Sequence, residues 1–175
     1  PQTVNCVPSE VAVGDVDANG DMEIVVSTTD SYDPFGVATQ NREIYVFNHD
    51  GTLVPGWPRT ISGYTPNWLT SYAPVLGDID QNDGGRLEIF EIGTDGKVYL
   101  FNDDGTLVPG WPRIFSPTGA YNSQASLADI DNNGDIEIAF NLCAFGSYCQ
   151  TYVMNHDGTL LPGWPIGGRG DENIL

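Results

Sequence analysis

The chain has 175 residues, of which 40% are hydrophobic, so it is long enough to bury a core of its own. Its 24 acidic and 6 basic residues give a formal net charge of −18, which excludes nucleic acid as a partner because the phosphates would be repelled. No apolar run approaches the roughly 20 residues that a membrane-spanning helix needs. The 21 glycines and 12 prolines are typical of a turn-rich all-β chain.

An acidic loop follows the first short apolar run and then recurs twice along the chain. The copies occupy residues 15–24, 78–89 and 129–138, and the second copy contains two extra residues. In the first and third copies, oxygen-bearing side chains stand at positions 1, 3 and 5, glycine at 6 and glutamate at 9. Alternate side chains then point inward, glycine permits the sharp turn and the final acid closes the shell around a hard cation. The pattern therefore predicts calcium loops.

A second motif lies downstream of each acidic loop, at residues 45–58, 99–112 and 152–165. Each copy contains Asn-x-Asp-Gly-Thr-Leu, then Val or Leu, then Pro-Gly-Trp-Pro. The tryptophans at positions 57, 111 and 164 recur at a period near 50 residues. This period, together with short strands and no helical pattern, indicates the blades of a β-propeller.

Each repeat divides into four predicted strands. The first strand enters the acidic loop, the second leaves it, and the third precedes the Asp-Gly turn, which is a strong hairpin signal. We expect the fourth strand at residues 52–57, 106–111 and 159–164, on the sheet edge, where proline is tolerated. The predicted blades span about residues 9–60, 72–114 and 123–167, and 168–175 form a polar tail.

The loop Asp-x-Asp-x-Asn-Gly-Asp-x-Glu-Ile, preceded by a short apolar strand, resembles the FG-GAP/VCBS repeat. This repeat forms the calcium-binding blades of integrin-α-like β-propellers. The resemblance implies an all-β fold with three four-stranded antiparallel blades. Three blades cannot close the usual ring, so we expect a segment of a larger propeller or a composite ring. The expected partners are then other blades of the same chain or other copies of it.

The resemblance also implies which residues hold two to three Ca²⁺ ions. In the first loop, they are Asp15, Asp17, Asn19 and Glu23, with the main-chain carbonyl of Asp21. In the second loop, they are Asp78, Asp80 and Glu88, with Asn82 or Asp83 as the third ligand. In the third loop, they are Asp129, Asp131, Asn133 and Glu137, with the main-chain carbonyl of Asp135. The expected role of the ion is structural, because it would neutralise converging oxygens and pin the turn.

The repeated tryptophans have two interpretations, sugar stacking or packing between neighbouring blades, and their identical sequence context favours packing. Aromatic residues outside the repeat are better candidates for a contact surface: Tyr32, Phe35, Trp68 and Tyr121. His49 and His156 are predicted to be surface turn residues. Arg59 and Arg113 both follow the Trp-Pro pair and are expected to bridge to acids on neighbouring strands.

Cys143 and Cys149 flank a plausible hairpin tip, and either a disulfide or two free thiols is compatible with their spacing. A disulfide would fit an oxidising compartment. Cys6 is left as a buried thiol or as the partner of a cysteine outside this chain.

No catalytic motif stands out: the chain has no Gly-x-Ser-x-Gly, no His-Glu-x-x-His and no phosphate-binding glycine loop. We therefore expect a noncatalytic, extracellular calcium-binding module for adhesion, surface assembly or binding of a protein or glycan ligand. The alternatives are a propeller domain of a calcium-dependent, lyase-like polysaccharide enzyme, or a lectin. The tripeptide 169–171 (Arg-Gly-Asp) matches an integrin ligand, which we interpret as a chance match.

Overall fold

A computed structural model describes residues 6–31, 41–62, 73–82, 84–93, 95–115, 120–122, 124–144 and 149–167. Within these ranges the chain forms strands and turns only, and no helix is present that could cross a lipid bilayer. Three predicted contact residues, Tyr32, Phe35 and Trp68, lie outside the described residues, as do the side chain of Tyr121 and the 169–171 tripeptide.

The described residues form twelve strands in three antiparallel sheets, which confirms the predicted all-β class. Sheet 1 has the order β1-β2-β3-β4 and sheet 2 the order β5-β6-β7-β8. In sheet 3, β9 and β10 pair with successive parts of β11, which pairs with β12. The strands are β1 Cys6–Gly14, β2 Glu23–Ser31, β3 Asn41–Phe47, β4 Arg59–Ser62, β5 Val75–Gly77, β6 Glu88–Ile92, β7 Lys97–Phe101, β8 Arg113–Ile114, β9 Ala120–Asn122, β10 Ser126–Ala128, β11 Glu137–Ala144 and β12 Cys149–Met154.

The first three predicted strands of each repeat are present, but the prediction of the fourth strand was wrong. The segments predicted as fourth strands are turns, and Leu53 makes only an isolated bridge to Phe47. The pairing edge strand comes after the Trp-Pro pair, as β4 in sheet 1 and β8 in sheet 2. Proline lacks the N–H that a ladder needs, and Gly56 takes a φ of +96°, so the chain folds back before it can pair.

Sheet 3 ends differently from the other two sheets. In place of a fourth strand, the described residues contain a single antiparallel bridge between Thr151 and Ile166. The Trp-Pro peptide bond that precedes this position is cis in all three repeats.

Most of the core consists of two apolar layers, one on each face of sheet 2, and a small third cluster around Val26 and Tyr45 lies on the other face of sheet 1. Successive residues of a strand point to opposite faces. Ile89 and Phe101 therefore pack against sheet 1, while Phe90 and Leu100 pack against sheet 3. Apolar side chains that are buried this completely each contribute roughly 1.5–3 kcal/mol to stability. The central sheet is thus covered on both faces, whereas sheets 1 and 3 each pack against it with one face.

A buried ion pair joins sheet 1 to sheet 2 within the first of these layers. Arg42 Nη2 lies 2.6 Å from Glu91 Oε1, and Ser27 Oγ donates to the other carboxylate oxygen at 2.9 Å. The guanidinium also donates to two carbonyl oxygens, of Thr28 at 3.0 Å and of Ile92 at 3.1 Å. The sequence analysis missed this network, although an acid inside the apolar run Ile89-Phe90-Glu91-Ile92 is a signal that a buried partner exists.

A disulfide joins Cys143 of β11 to Cys149 of β12. The two cysteines stand directly opposite each other in the antiparallel ladder, with Cα atoms 3.9 Å apart. The structure thus decides between the two alternatives that their spacing left open.

Candidate metal centres

The three acidic loops occupy the same place in each sheet, between the first and the second strand. Each loop ends at the glutamate that opens the second strand, which is Glu23, Glu88 or Glu137. These three side chains are buried, at 1% exposure or less. A carboxylate at that depth needs partners, because its desolvation is costly.

Each glutamate turns back to accept backbone N–H groups from the start of its loop. In the first loop, the N–H of Val16 donates to Glu23 Oε2 at 2.8 Å. In the third, the N–H of Ile130 donates to Glu137 Oε2 at 2.7 Å. The strand pairing buries the glutamate, and the hydrogen bond fixes which of its oxygens faces the loop.

The rest of the first loop is held by its own acids. Asp15 accepts the N–H groups of Asn19 at 2.9 Å and of Gly20 at 3.0 Å, one on each carboxylate oxygen. Asn19 in turn accepts the N–H of Asp21 at 2.7 Å through its amide oxygen. Gly20 has a φ of +95°, a conformation in which a side chain would be strained.

The third loop repeats this geometry residue by residue. Asp129 accepts the N–H groups of Asn133 and Gly134, at 3.0 and 3.1 Å. Asn133 accepts the N–H of Asp135 at 2.6 Å. The same sequence pattern has therefore produced the same loop twice.

The second loop differs because of its two extra residues. Glu88 accepts the N–H groups of both Ile79 and Asp80, at 2.6 and 3.1 Å. The side chain of Asn82 donates to Asp80 at 2.5 Å, whereas Asn19 and Asn133 accept a backbone N–H. Asp83 lies outside the described residues. The choice between Asn82 and Asp83 as the third ligand stays open.

The predicted acidic ligands come together in all three loops. One carboxylate oxygen from each acid lies within 4.8 Å of the others in the triads Asp15–Asp17–Glu23, Asp78–Asp80–Glu88 and Asp129–Asp131–Glu137. Oxygens that share one Ca²⁺ at 2.3–2.6 Å are at most about 5 Å apart, so each triad fits a single ion.

A further observation concerns the second oxygen of the glutamates in the first and third loops. Glu23 Oε1 and Glu137 Oε1 are buried and have no hydrogen-bond partner among the residues that the structure describes, and the same holds for Asp78 Oδ1 of the second loop. Burying a carboxylate oxygen without a hydrogen-bond partner costs desolvation free energy. A bound cation would offset that cost. The residues present therefore fit a calcium ion.

The electrostatics of the first loop agree with that fit. Burial raises the pKa of Glu23 above its usual value, and the hydrogen bond from Val16 opposes this rise. The negative charges of Asp17 and Asp15 raise the pKa further. A divalent cation among these groups would reverse the sign of the local field.

Residues 82–140 match the family model of the FG-GAP-like repeat. The chain carries an FG-GAP-like repeat. The matched segment starts inside the second acidic loop, covers the second Gly-Trp motif and the whole third loop, and ends in β11. FG-GAP repeats form β-propellers, so the three sheets are propeller-type blades, and we call sheets 1, 2 and 3 blades 1, 2 and 3. A comparison of the chain with curated proteins finds no match.

The Gly-Trp motifs of blades 1 and 2 join neighbouring blades. We call residues 55–58, 109–112 and 162–165 the clamps, and residues 48–52, 102–106 and 155–159 the turns. The indole N–H of Trp57 in blade 1 donates to the carbonyl of Asp103 in the turn of blade 2, at 2.8 Å. Trp111 of blade 2 donates in the same way to His156 of blade 3, at 3.0 Å. For these two tryptophans, packing between blades was the right interpretation.

The arginines that follow the clamps reach the same turns. Arg59 donates to the carbonyl of Asp104 at 3.3 Å, and Arg113 donates to the carbonyl of Asp157. Both arginines were expected to bridge to acids on neighbouring strands; they reach the next blade instead, and each acceptor is a backbone carbonyl and not a carboxylate. The carboxylates point elsewhere, because each accepts both the hydroxyl and the backbone N–H of the threonine two residues later in its own turn. Those bonds lower the pKa of Asp104 and of Asp157.

The acidic loops of neighbouring blades also touch each other. The side chain of Gln81 in loop 2 donates to the carbonyl of Gly134 in loop 3 at 2.9 Å, and the N–H of Leu87 donates to Val16 in loop 1 at 3.0 Å. A groove of about 660 Å³ lies between loops 2 and 3, and its lining residues are Leu76, Gly77, Asp78, Gln81, Leu127 and Ile136. No aromatic side chain is among these described lining residues.

Proposed function

We propose that the chain is a noncatalytic β-propeller module whose acidic loops bind Ca²⁺ and use the ion to hold the blades in shape. The observation that carries the proposal is that Glu23 and Glu137 each keep one buried carboxylate oxygen with no hydrogen-bond partner among the described residues, within reach of two further acids. Calcium is preferred to magnesium because magnesium demands a tight octahedron and keeps several waters.

In this proposal the ion acts on the protein's own charges. The side chains of Asp15, Asp17 and Glu23 would hold it in the first loop, with the same positions in the third. Three bound ions would offset six of the net negative charges of the chain. The ion would supply positive charge at the turn between the first and the second strand, where the carboxylates otherwise repel one another.

The proposed setting is extracellular, with a role in adhesion, surface assembly or ligand binding. The Cys143–Cys149 disulfide supports an oxidising compartment. Calcium loops of modest affinity also suit extracellular modules, which work at about 10⁻⁴–10⁻³ M Ca²⁺. A blade array fixed by ions would then present its variable loops for contact.

Isothermal titration of the chelator-treated protein with Ca²⁺ tests the binding. We expect two to three sites and a rise in Tm of about 5–10 °C at an ion concentration of about 100 Kd. Asp131→Asn keeps the size of the side chain but removes one ligand charge, so one site should be lost. Glu10→Gln, at an exposed position on β1, is the matched control and should bind like the parent. The proposal would be contradicted if titration of the parent protein with Ca²⁺ gave no heat of binding. It would also be contradicted if Asp131→Asn bound as many ions as the parent.

Noncatalytic action is tested separately with uronic-acid polymers. Incubation of the calcium-loaded protein should release no unsaturated oligosaccharides, whereas a lyase would release them. Binding to a glycan array in the presence of Ca²⁺ would instead favour the lectin alternative.

A further inference from the structure

The second acidic loop stands between the other two and contacts both of them. We call the loops at residues 15–24, 78–89 and 129–138 loops 1, 2 and 3. The backbone N–H of Leu87 in loop 2 donates to the carbonyl of Val16 in loop 1 at 3.0 Å. The side chain of Gln81 in loop 2 donates to the carbonyl of Gly134 in loop 3 at 2.9 Å. Among the described residues, loops 1 and 3 share no hydrogen bond with each other.

The residue that accepts each of these bonds also positions a predicted ligand of its own loop. The N–H of Val16 donates to Glu23 Oε2 at 2.8 Å, while its carbonyl accepts from loop 2. The N–H of Gly134 donates to Asp129 Oδ2 at 3.1 Å, while its carbonyl accepts from loop 2. In each neighbouring loop, a single residue therefore connects loop 2 to a ligand carboxylate.

The two donors of loop 2 are themselves next to predicted ligands. Leu87 directly precedes Glu88, and Gln81 directly follows Asp80. Gln81 takes a left-handed φ of +52°, and the other two loops turn in the same way at the same position, with φ values of +57° and +59°. The place of each donor therefore depends on how loop 2 holds its ligands.

Apolar packing makes the same two joints stiff. Gly14 and Gly77 directly precede the first aspartates of loops 1 and 2. A Cβ atom at Gly14 would lie 2.9 Å from the side chain of Leu87, and a Cβ atom at Gly77 would collide with Leu127 of blade 3. Closely packed interiors transmit displacements because they contain few voids. A shift at one loop is therefore felt in the next blade.

The charges of the loops do not oppose binding in all three at once. Each loop contains four acidic residues, and loop 2 also contains Arg86. One Ca²⁺ adds two positive charges, so every loop stays negatively charged when it holds an ion. An occupied loop therefore places no net positive charge beside its neighbour, and the ordering of the ligands decides the sign of the coupling.

We propose that loop 2 couples the three loops, so that Ca²⁺ binding in loop 2 raises the affinity of loops 1 and 3. The inference rests on the proposed binding of Ca²⁺, which is supported by Glu23 Oε1 and Glu137 Oε1, buried oxygens with no hydrogen-bond partner in the described part of the chain. An ordered loop 2 holds its two donors in place, and these hold the residues that position the ligands on either side. Coupling of this kind is reciprocal, so ions in loops 1 and 3 raise the affinity of loop 2 by the same factors.

An NMR titration of the isotope-labelled protein with Ca²⁺ follows the two outer loops separately. The amide of Gly20 donates to Asp15, and the amide of Gly134 donates to Asp129. Their signals therefore report the filling of loops 1 and 3. The titration is done in about 0.15 M salt, which screens charges that are more than about 8 Å apart.

Asp80→Asn removes one ligand charge from loop 2 and tests the coupling on both sides. The Ca²⁺ concentrations at the midpoints of the Gly20 and Gly134 signals should both rise by at least about fivefold. Asp131→Asn is the matched control, because it removes the equivalent charge from loop 3, which does not contact loop 1. Its Gly20 midpoint should move much less than that of Asp80→Asn. An equal shift of Gly20 in both variants would trace the effect to lost charge and overturn the proposal.

Gln81→Ala changes neither a charge nor a ligand and removes only the bond to loop 3. The midpoint of the Gly134 signal should rise by about 2- to 12-fold, the factor that one hydrogen bond contributes. Gly20 is the internal control, and its midpoint should stay in place.

Two further results would overturn the coupling while leaving the proposed binding of Ca²⁺ intact. One is an Asp80→Asn variant in which both glycine midpoints equal those of the parent. The other is a Gln81→Ala variant in which the Gly134 midpoint is unchanged. If neither glycine signal of the parent responded to Ca²⁺, the proposed function would fail together with the coupling.

Discussion

At the scale of single residues, the buried charges of this chain fall into two kinds. The loop glutamates Glu23 and Glu137 each satisfy one oxygen with a backbone N–H group and leave the other without a hydrogen-bond partner in the described part of the chain. Glu91 is different, because Arg42 and Ser27 satisfy both of its oxygens. A buried carboxylate with one oxygen that accepts no hydrogen bond is suited to hold an ion. A carboxylate with both oxygens paired, such as that of Glu91, serves instead to join two sheets.

The Arg42–Glu91 pair yields a prediction about stability. Arg42→Met leaves the carboxylate buried without its partner and should lower the free energy of unfolding by about 3–5 kcal/mol. Arg42→Met combined with Glu91→Leu should recover much of that loss, because no uncompensated charge then remains buried. Urea unfolding followed by circular dichroism measures both changes.

A surface pair provides the control for this experiment. Arg86 lies 2.5 Å from Asp103, but its side chain is 46% exposed. Arg86→Met should therefore cost no more than about 1 kcal/mol. If Arg42→Met and Arg86→Met lowered the free energy of unfolding equally, burial of the Arg42–Glu91 pair would not affect stability.

At the scale of elements, the clamp and the turn determine how one blade meets the next. The turn is fixed internally, since its aspartate accepts both the backbone N–H and the hydroxyl of the same threonine. It therefore presents its carbonyl groups in a fixed direction, and the tryptophan of the previous blade donates to one of them. The joint depends on the backbone of the turn more than on its side chain, which explains why Asp103 and His156 can both stand at the accepting position.

Trp111 offers the sharpest test of the clamp. Trp111→Ala should cost about 3–5 kcal/mol, because the indole packs edge-on against Phe90 and is almost fully buried. Trp111→Phe keeps a ring and loses mainly the hydrogen bond to His156, so its cost should be smaller. Ile114→Ala, at an exposed position three residues later, should leave the unfolding midpoint nearly unchanged. A midpoint for Trp111→Ala equal to that of the parent would show that the clamp does not hold the blades together.

At the scale of the whole molecule, charge repulsion opposes the packing of the blades. The net charge is −18, and the acidic loops of neighbouring blades lie in contact with each other. The two apolar layers and the buried ion pair must outweigh this repulsion for the blades to stay together. Added salt screens such repulsion, since the Debye length falls from about 30 Å at 0.01 M to about 8 Å at 0.15 M.

We therefore expect the Tm of the chelator-treated protein to rise by a few degrees between these two salt concentrations. The rise should be smaller with saturating Ca²⁺, because bound ions already neutralise the loops. Scanning calorimetry in sodium chloride and in choline chloride measures it, and similar shifts in both salts would identify screening as the cause. If the Tm of the chelator-treated protein were the same at both salt concentrations, repulsion between the loops would be negligible.

Sequence reasoning reached the fold class and the first three strands of each repeat, because these depend on local patterns that recur three times. It also placed the members of each acidic triad, which the structure brings within reach of one ion in all three loops. It misplaced the fourth strand, since the Pro-Gly turn and the two to four residues after it give no periodic signal of their own. Arg42 and Glu91 are 49 residues apart, and no local pattern links residues at that separation.

The sequence by itself therefore determined the repeat, the acidic loops and the alternation of apolar residues, all of which arise from interactions between near neighbours in the chain. Only the tertiary structure decided which turns Trp57 and Trp111 bind, and which oxygens of the buried Glu23 and Glu137 lack a hydrogen-bond partner among the described residues. These features depend on the packing of one blade against the next. The three clamps have the same Pro-Gly-Trp-Pro sequence, and only the packing of the blades shows which turn the tryptophans of the first two clamps bind.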